Sequence, residues 1–154
     1  MAANDTRGGN SNRSRYTNKK QAPATDSYGH LQPQAVELEQ AVLGALMIEK
    51  DAYYQVSEIL RPESFYDHRH QLIYEAIRRL NLEEKPVDIL TVTEQLKSTN
   101  NLEEVGGPFY ITQLSGMVAS SAHIEYHARI IAQKATARVA SKLRRSTLRK
   151  TLTS

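Results

Sequence analysis

The 154 residues contain no cysteine and no tryptophan, and only two phenylalanines. Without cysteine the chain can form no disulfide, offers no thiolate to a metal and has no sulfur nucleophile, a composition that fits a reducing cytosol. None of the seven glycines is followed by lysine. The Gly-x-x-x-x-Gly-Lys-Ser/Thr loop whose backbone amides cradle nucleotide phosphates is therefore missing, and the chain alone is not expected to hydrolyse ATP. No apolar stretch approaches the roughly 18 residues of a membrane span. The basic residues near the N-terminus are not followed by the apolar run of a secretory signal. Alternating apolar–polar runs of strand length are lacking too, which leaves helix as the predicted regular structure and all-α as the fold class.

What is present divides by charge. Residues 1–30 hold five Lys/Arg and two Asp, residues 31–133 hold eight Lys/Arg and fifteen Asp/Glu, and residues 134–154 hold seven Lys/Arg and no acid. An acidic middle lies between two basic ends. The pI near 9.2 thus describes the tails and does not by itself indicate a DNA-binding fold. Residues 1–30, rich in Asn, Ser, Gly and basic side chains, cannot bury enough apolar surface to offset their chain entropy and are predicted to be a disordered tail. About 100 ordered residues can support one modest core.

Helical spacing then accounts for the middle. Pro33 suits a helix start, where its missing N–H costs nothing. Val36, Leu38, Val42, Leu43, Ala45 and Leu46 follow on one broad apolar face, with Glu37, Glu39 and Gln40 outside. Gly44 costs about 1 kcal/mol relative to Ala in a helix, a cost that close approach by a neighbouring helix would compensate. Asp51 can cap a second helix that buries Tyr53 or Tyr54, Val56, Ile59 and Leu60 and ends at Pro62. A third helix runs from about His70 to Leu82, burying Ile73, Ala76, Ile77 and Leu80 and pairing Glu75 with Arg79 outside. Asp88 caps a fourth with Leu90, Val92 or Thr93, and Leu96 inward. Gly106-Gly107 reverses the chain, and Pro108 opens a fifth helix burying Ile111 and Leu114. Ser120 or Ser121 caps a long last helix through Ile124, Ala128, Ile131 and Ala135.

Several residue groups invite a chemical reading. His68-Arg69-His70 beside Asp67 resembles a metal cluster, but residues at i and i+2 do not share a helix face. The segment reads instead as a helix start, with Asp67 or His68 capping and His70 inside. Glu37 and Glu39 point apart on a helix, which makes them a solvated face rather than a catalytic carboxylate pair. Tyr66, Tyr74 and Tyr110 read as core residues with hydroxyls at the surface. No acid/base pair, nucleophile or metal set converges by spacing, so no cofactor and no catalytic residue are expected. At the basic end, Arg138, Lys142, Arg144, Arg145, Arg149 and Lys150 surround Val139, Leu143, Leu148 and Leu152. Such a segment either contacts phosphates by counterion release or is a frayed terminus.

Four segments carry a resemblance by their order and spacing: Glu37 to Leu46, Phe65 to Ile77, Lys85-Pro86-Val87-Asp88, and Gly106-Gly107-Pro108-Phe109-Tyr110-Ile111. Together they resemble the N-terminal domain of the DnaB-type replicative DNA helicase of bacteria, from about Leu31 to about Lys134. The resemblance implies a small orthogonal bundle of five to six helices over residues 31–121. A long helix over 122–154 then begins a helical hairpin. It implies that hairpins pair between helicase subunits to build a tier of a hexameric ring, and that this tier contacts the primase. It places ATP and magnesium in a separate motor domain, expected to be absent from this chain. DNA would be met indirectly or weakly, in the bacterial cytoplasm, with no membrane partner. The expected subunit interface is Ile124, Ala128, Ile131, Ala135 and Val139. The alternative is a small nucleic-acid-binding protein that uses its basic tails.

The chain departs from the family pattern after Lys134, where a mixed-charge hairpin and an acidic linker would follow. One back-translation of Leu143 to Leu152 reads, in a shifted frame, as a mixed-charge continuation, so a frameshifted or truncated end is one expectation. Another concerns assembly. Seven positive charges lie within reach of one another at a Debye length of about 8 Å in 0.15 M salt. The sequence therefore predicts a mainly monomeric globule at low concentration, mobile beyond about Val139.

Overall fold

The computed structural model describes residues 33–118 and 121–153, in which six α-helices and two 3-10 turns occur and no strand. The basic tail over 1–30 and the expected cap at Ser120 lie outside the described residues. The helices are α1 (Pro33–Ile48), α2 (Ala52–Val56), α3 (His68–Leu82), α4 (Ile89–Ser98), α5 (Gly107–Ser115) and α6 (Ile124–Leu152), with 3-10 turns at Pro62–Ser64 and Ser121–His123.

Helix α1 is the centre of the head. It packs against α2, α3, α4, α5 and α6, so its residues are buried nearly all round. Val42, Leu43, Ala45, Leu46 and Met47 join Phe65, Ile73, Tyr74, Ile77, Val92, Leu96, Ile111 and Leu114 in one core. Gly44 lies where α1 crosses α5. A Cβ built there would sit 2.2 Å from the carbonyl oxygen of Leu114. The missing side chain thus lets two backbones meet, as the sequence predicts.

Local signals set most boundaries. Asp67 caps α3, its carboxylate accepting the Arg69 N–H at 2.9 Å. Asp88 caps α4 in a reciprocal box, accepting the Thr91 N–H at 2.8 Å while the Thr91 hydroxyl accepts the Asp88 N–H at 2.9 Å. Glu75 bridges Arg79 on the outer face of α3. Arg61, before Pro62, is extended. Gly106 takes a φ of +104° at the turn into α5, a conformation that favours glycine.

The structure corrects several expectations. α2 is a single turn, and Asp51 makes no side-chain cap bond to it. Of the Tyr53/Tyr54 alternatives Tyr53 packs against the core and Tyr54 is exposed, and Leu90 is exposed rather than buried. Tyr66 is half-exposed, not a core residue. Tyr74 is buried with its hydroxyl, which donates to the Leu60 carbonyl at 3.1 Å. The residue before α6 is His123, reached through the 3-10 turn Ser121–His123. Beyond Val139 the chain stays helical to Leu152, because Ala, Leu, Lys and Arg are strong helix formers and Arg149 and Lys150 complement the C-terminal dipole.

Candidate functional site

Two features could carry function: a polar network inside the head, and the long helix that leaves it. The network begins with Glu39. Expected on a solvated face, it is 1% exposed, because α1 is enclosed on almost every side. Its oxygens are satisfied by groups some thirty residues away. Oε2 accepts the Tyr66 N–H at 2.7 Å, and Oε1 accepts the Asp67 N–H at 3.3 Å and the His70 Nδ1–H at 2.7 Å. The other ring nitrogen of His70 lies 2.7 Å from the Tyr110 hydroxyl, to which Gln40 Nε2 also donates at 3.3 Å. With the proton on Nδ1, Gln40 donates to Tyr110, Tyr110 to His70 and His70 to Glu39, so every donor has an acceptor.

This chain of bonds ties α1, α3 and α5 together and ends the α3 approach in a fixed geometry. The Tyr110 hydroxyl, expected at the surface, is its third member. Arg69 lies 4.5 Å from the Tyr110 ring centroid and bonds the Asp67 carboxylate at 2.7 Å. Burial pushes the Asp67 carboxyl up, but the hydrogen bonds from Arg69 outweigh it and hold the group below its ordinary range. Burial likewise raises the Tyr74 phenol. A Glu–His–Tyr relay can move protons, but this one has no open atom facing a substrate: His70 is 0% exposed and its ring nitrogens are both used. The cleft of about 420 Å³ beside α2, lined by residues such as Ser57, Arg61, Glu63 and Arg78, is not lined by any member of the network. His68 faces Glu104 at 3.0 Å on the surface, away from His70. No group of three His, Asp or Glu among the described residues could hold a metal ion.

The long helix presents the second feature. α6 spans 29 residues, about 43 Å at 1.5 Å per residue. Its first half is part of the head: Ile124, Ala128 and Ile131 are at most 2% exposed and lie in the core, so these three expected interface residues are spent inside the subunit. Ala135 is half-buried, and Val139 and Leu143 are 58% and 64% exposed. The uncovered stripe thus begins at Ala135. Arg138 marks the point of departure. One guanidinium nitrogen donates to the Ser64 carbonyl at 2.9 Å, and the group lies 5.6 Å from the Tyr66 ring centroid. This expected phosphate contact is instead an anchor that pins α6 to the turn before α3. Lys142, Arg144, Arg145, Arg149 and Lys150 are exposed.

The buried carboxylate was invisible to periodicity, since a Glu on a helix reads as solvent-facing by composition. The signal that could have found it was the string of unpaired N–H groups at Tyr66 and Asp67, which must be satisfied from somewhere.

Residues 31–133 match the family model described as DnaB-like helicase N terminal domain. Among relatives, the chain is 57% identical over 106 residues to the replicative DNA helicase DnaB of Rhodothermus marinus, covering 69% of this chain and 11% of that protein. It is 45% identical over 108 residues to the replicative DNA helicase DnaC of Bacillus subtilis, covering 70% and 24%. The chain therefore spans a quarter or less of these curated relatives. The crystal structure of the N-terminal domain of DnaB helicase from Mycobacterium tuberculosis superposes with a TM-score of 0.72 at 35% identity, over 74% of this chain and 83% of that one. A solved DnaB-like replicative helicase, described with its interactions with primase, shares the fold at a TM-score of 0.66 and 24% identity, over 77% and 28%. With the all-helical head, these matches show that the chain belongs to the DnaB-like helicase N-terminal domain family.

Proposed function

We propose that this chain is a non-catalytic assembly and interaction module of a replicative DNA helicase. The observation that carries the reading is α6. Its first half is consumed by the head, and its second half projects with Ala135 half-covered and Val139 and Leu143 uncovered, as a helix meant to be met by another chain would. The head supports this role by rigidity: the buried Glu39–His70–Tyr110 network fixes how α1, α3 and α5 present their outer faces. Primase and further helicase subunits are the partners this reading assigns, supported by the solved DnaB-like helicase described with primase. ATP and magnesium belong to a motor outside this chain, which lacks the phosphate loop.

Purified chain is expected to show no ATPase activity above a buffer control, and to retain primase in a pull-down that Val139→Asp/Leu143→Asp weakens. Turnover of ATP by the chain alone would overturn the reading. Sedimentation at micromolar concentration tests assembly. A mainly monomeric species is expected, and a tight dimer that survives removal of residues 136–154 would place the interface on the head instead.

A further inference from the structure

The cations of distal α6 are not scattered. At 3.6 residues per turn, Lys134, Arg138, Lys142, Arg145 and Arg149 fall within a sector of about 80°, along a line of about 22 Å. Arg138 is held by the Ser64 carbonyl. Lys142, Arg145, Arg149 and Lys150, with Ser146, line one continuous groove on the helix surface. The last acidic residue of the chain is Glu125, and among the described residues none of these four cations pairs with a carboxylate. Arg144 points to another side. We propose that this face of α6 is a docking surface for the phosphate backbone of double-stranded nucleic acid, beyond the assembly role.

Three observations select that occupant. First, the charge is of one sign and linear, and a duplex offers a phosphate about every 1.7 Å of axis to such a line. Second, residues 139–152 of α6 are exposed on every side, and a helix about 10–12 Å across fits a major groove about 12 Å wide. No aromatic residue follows Tyr126, so the stacking platform that single strands use is lacking. Third, a membrane surface fits poorly. A helix lying in a bilayer interface needs one apolar face, whereas Val139 and Leu143 point away from Leu148 and Leu152 by about 180° on the helical wheel. Contacts to phosphates carry no sequence information, so binding is indifferent to base sequence.

The test is fluorescence anisotropy of a labelled 20-base-pair duplex with the full chain, between 50 and 200 mM salt. Four phosphate contacts give a slope of log K against log salt of about −3 to −4. The triple variant Lys142→Gln/Arg145→Gln/Arg149→Gln should bring the slope to about −1 and weaken binding at 50 mM salt at least tenfold. Arg144→Gln should leave the slope nearly unchanged, whereas a full phosphate contact at Arg144 would reduce it by about 0.9. Circular dichroism guards against loss of the helix; the substituted side chains are exposed, so an unchanged spectrum is expected. Absence of binding at 50 mM salt, or a slope unchanged in the triple variant, overturns the proposal. Tighter binding to phosphatidylglycerol vesicles than to the duplex assigns the face to a membrane and also overturns it. So does a salt-sensitive oligomer that excludes the duplex, which would give the face to the acidic head of a second copy.

Discussion

Replacing Glu39 with alanine removes one acceptor group from three donors at once. The Tyr66 N–H, the Asp67 N–H and His70 Nδ1 lose partners at 2.7, 3.3 and 2.7 Å. His70 is fully buried, so water cannot replace the carboxylate without opening the core. Each stranded buried donor costs about 1–3 kcal/mol. Relief of the carboxylate's own desolvation returns part of this, and the Tyr66 and Asp67 amides are only part-buried, leaving a net loss of about 2–4 kcal/mol. A domain of this size has a total stability of about 5–15 kcal/mol, so the variant should remain foldable and measurable. Glu39→Gln separates the hydrogen bonds from the cavity. It preserves volume and keeps one acceptor, but turns an NH2 group toward a donor, and should lose about 1–3 kcal/mol. Urea unfolding followed by circular dichroism at pH 7 reads both values. A loss below about 1 kcal/mol for Glu39→Ala would show that the network is incidental to the fold and that the head is held by apolar packing alone.

At Gly44, alanine gains about 1 kcal/mol in helix propensity but meets the Leu114 carbonyl and Val118 Cγ2, at 2.2 and 2.9 Å from the new Cβ. Overpacking of about 1–3 kcal/mol or more should win, and a raised thermal midpoint for Gly44→Ala would refute the close crossing. Glu84 ends α3 at a φ of +55°, a conformation costing a non-glycine residue about 1–2 kcal/mol. Glu84→Gly should therefore raise stability by up to about 1 kcal/mol, read as an upward shift in urea midpoint. Asp67 titrates below its ordinary 3.8 in the folded state. Its stabilisation is complete above that ordinary value and is lost as pH falls through the lower folded value. Asp67→Asn, which keeps a capping oxygen, should flatten the decline in thermal midpoint as pH falls below the ordinary Asp value. Salt should act in opposite senses on the two roles of α6. Going from about 0.1 M to 1 M shortens the screening length from about 10 to 3 Å, which should weaken duplex binding and strengthen self-association in sedimentation. A parallel change in both would show that the same side chains serve one role only.

The head was largely legible because its boundaries are written in short-range chemistry. Asp67 and Asp88 cap the helices they precede, Pro62 closes the segment before it, and Gly44 announced a backbone crossing before any partner was known. What could not be read is what depends on enclosure from a distance. Glu39 has the same local pattern as Glu37, yet Glu37 is exposed and Glu39 is buried, because donors at residues 66, 67 and 70 converge on only one of them. Tyr66 and Tyr74, read alike from the sequence, part company for a similar reason. Arg138 claims the surface around one, while the Leu60 carbonyl accepts the hydroxyl of the other. The same limit applies along α6. Periodicity continues the apolar stripe from Ile124 to Leu143 without a break, but the head covers only its first three members. Helical geometry then places five of the seven cations, which in sequence read as a loose tail, in a line on one side of a rod. An assembly helix and a phosphate-binding face can thus share one element, since Ala135, Val139 and Leu143 lie beside the line of Lys134, Arg138, Lys142, Arg145 and Arg149 rather than within it.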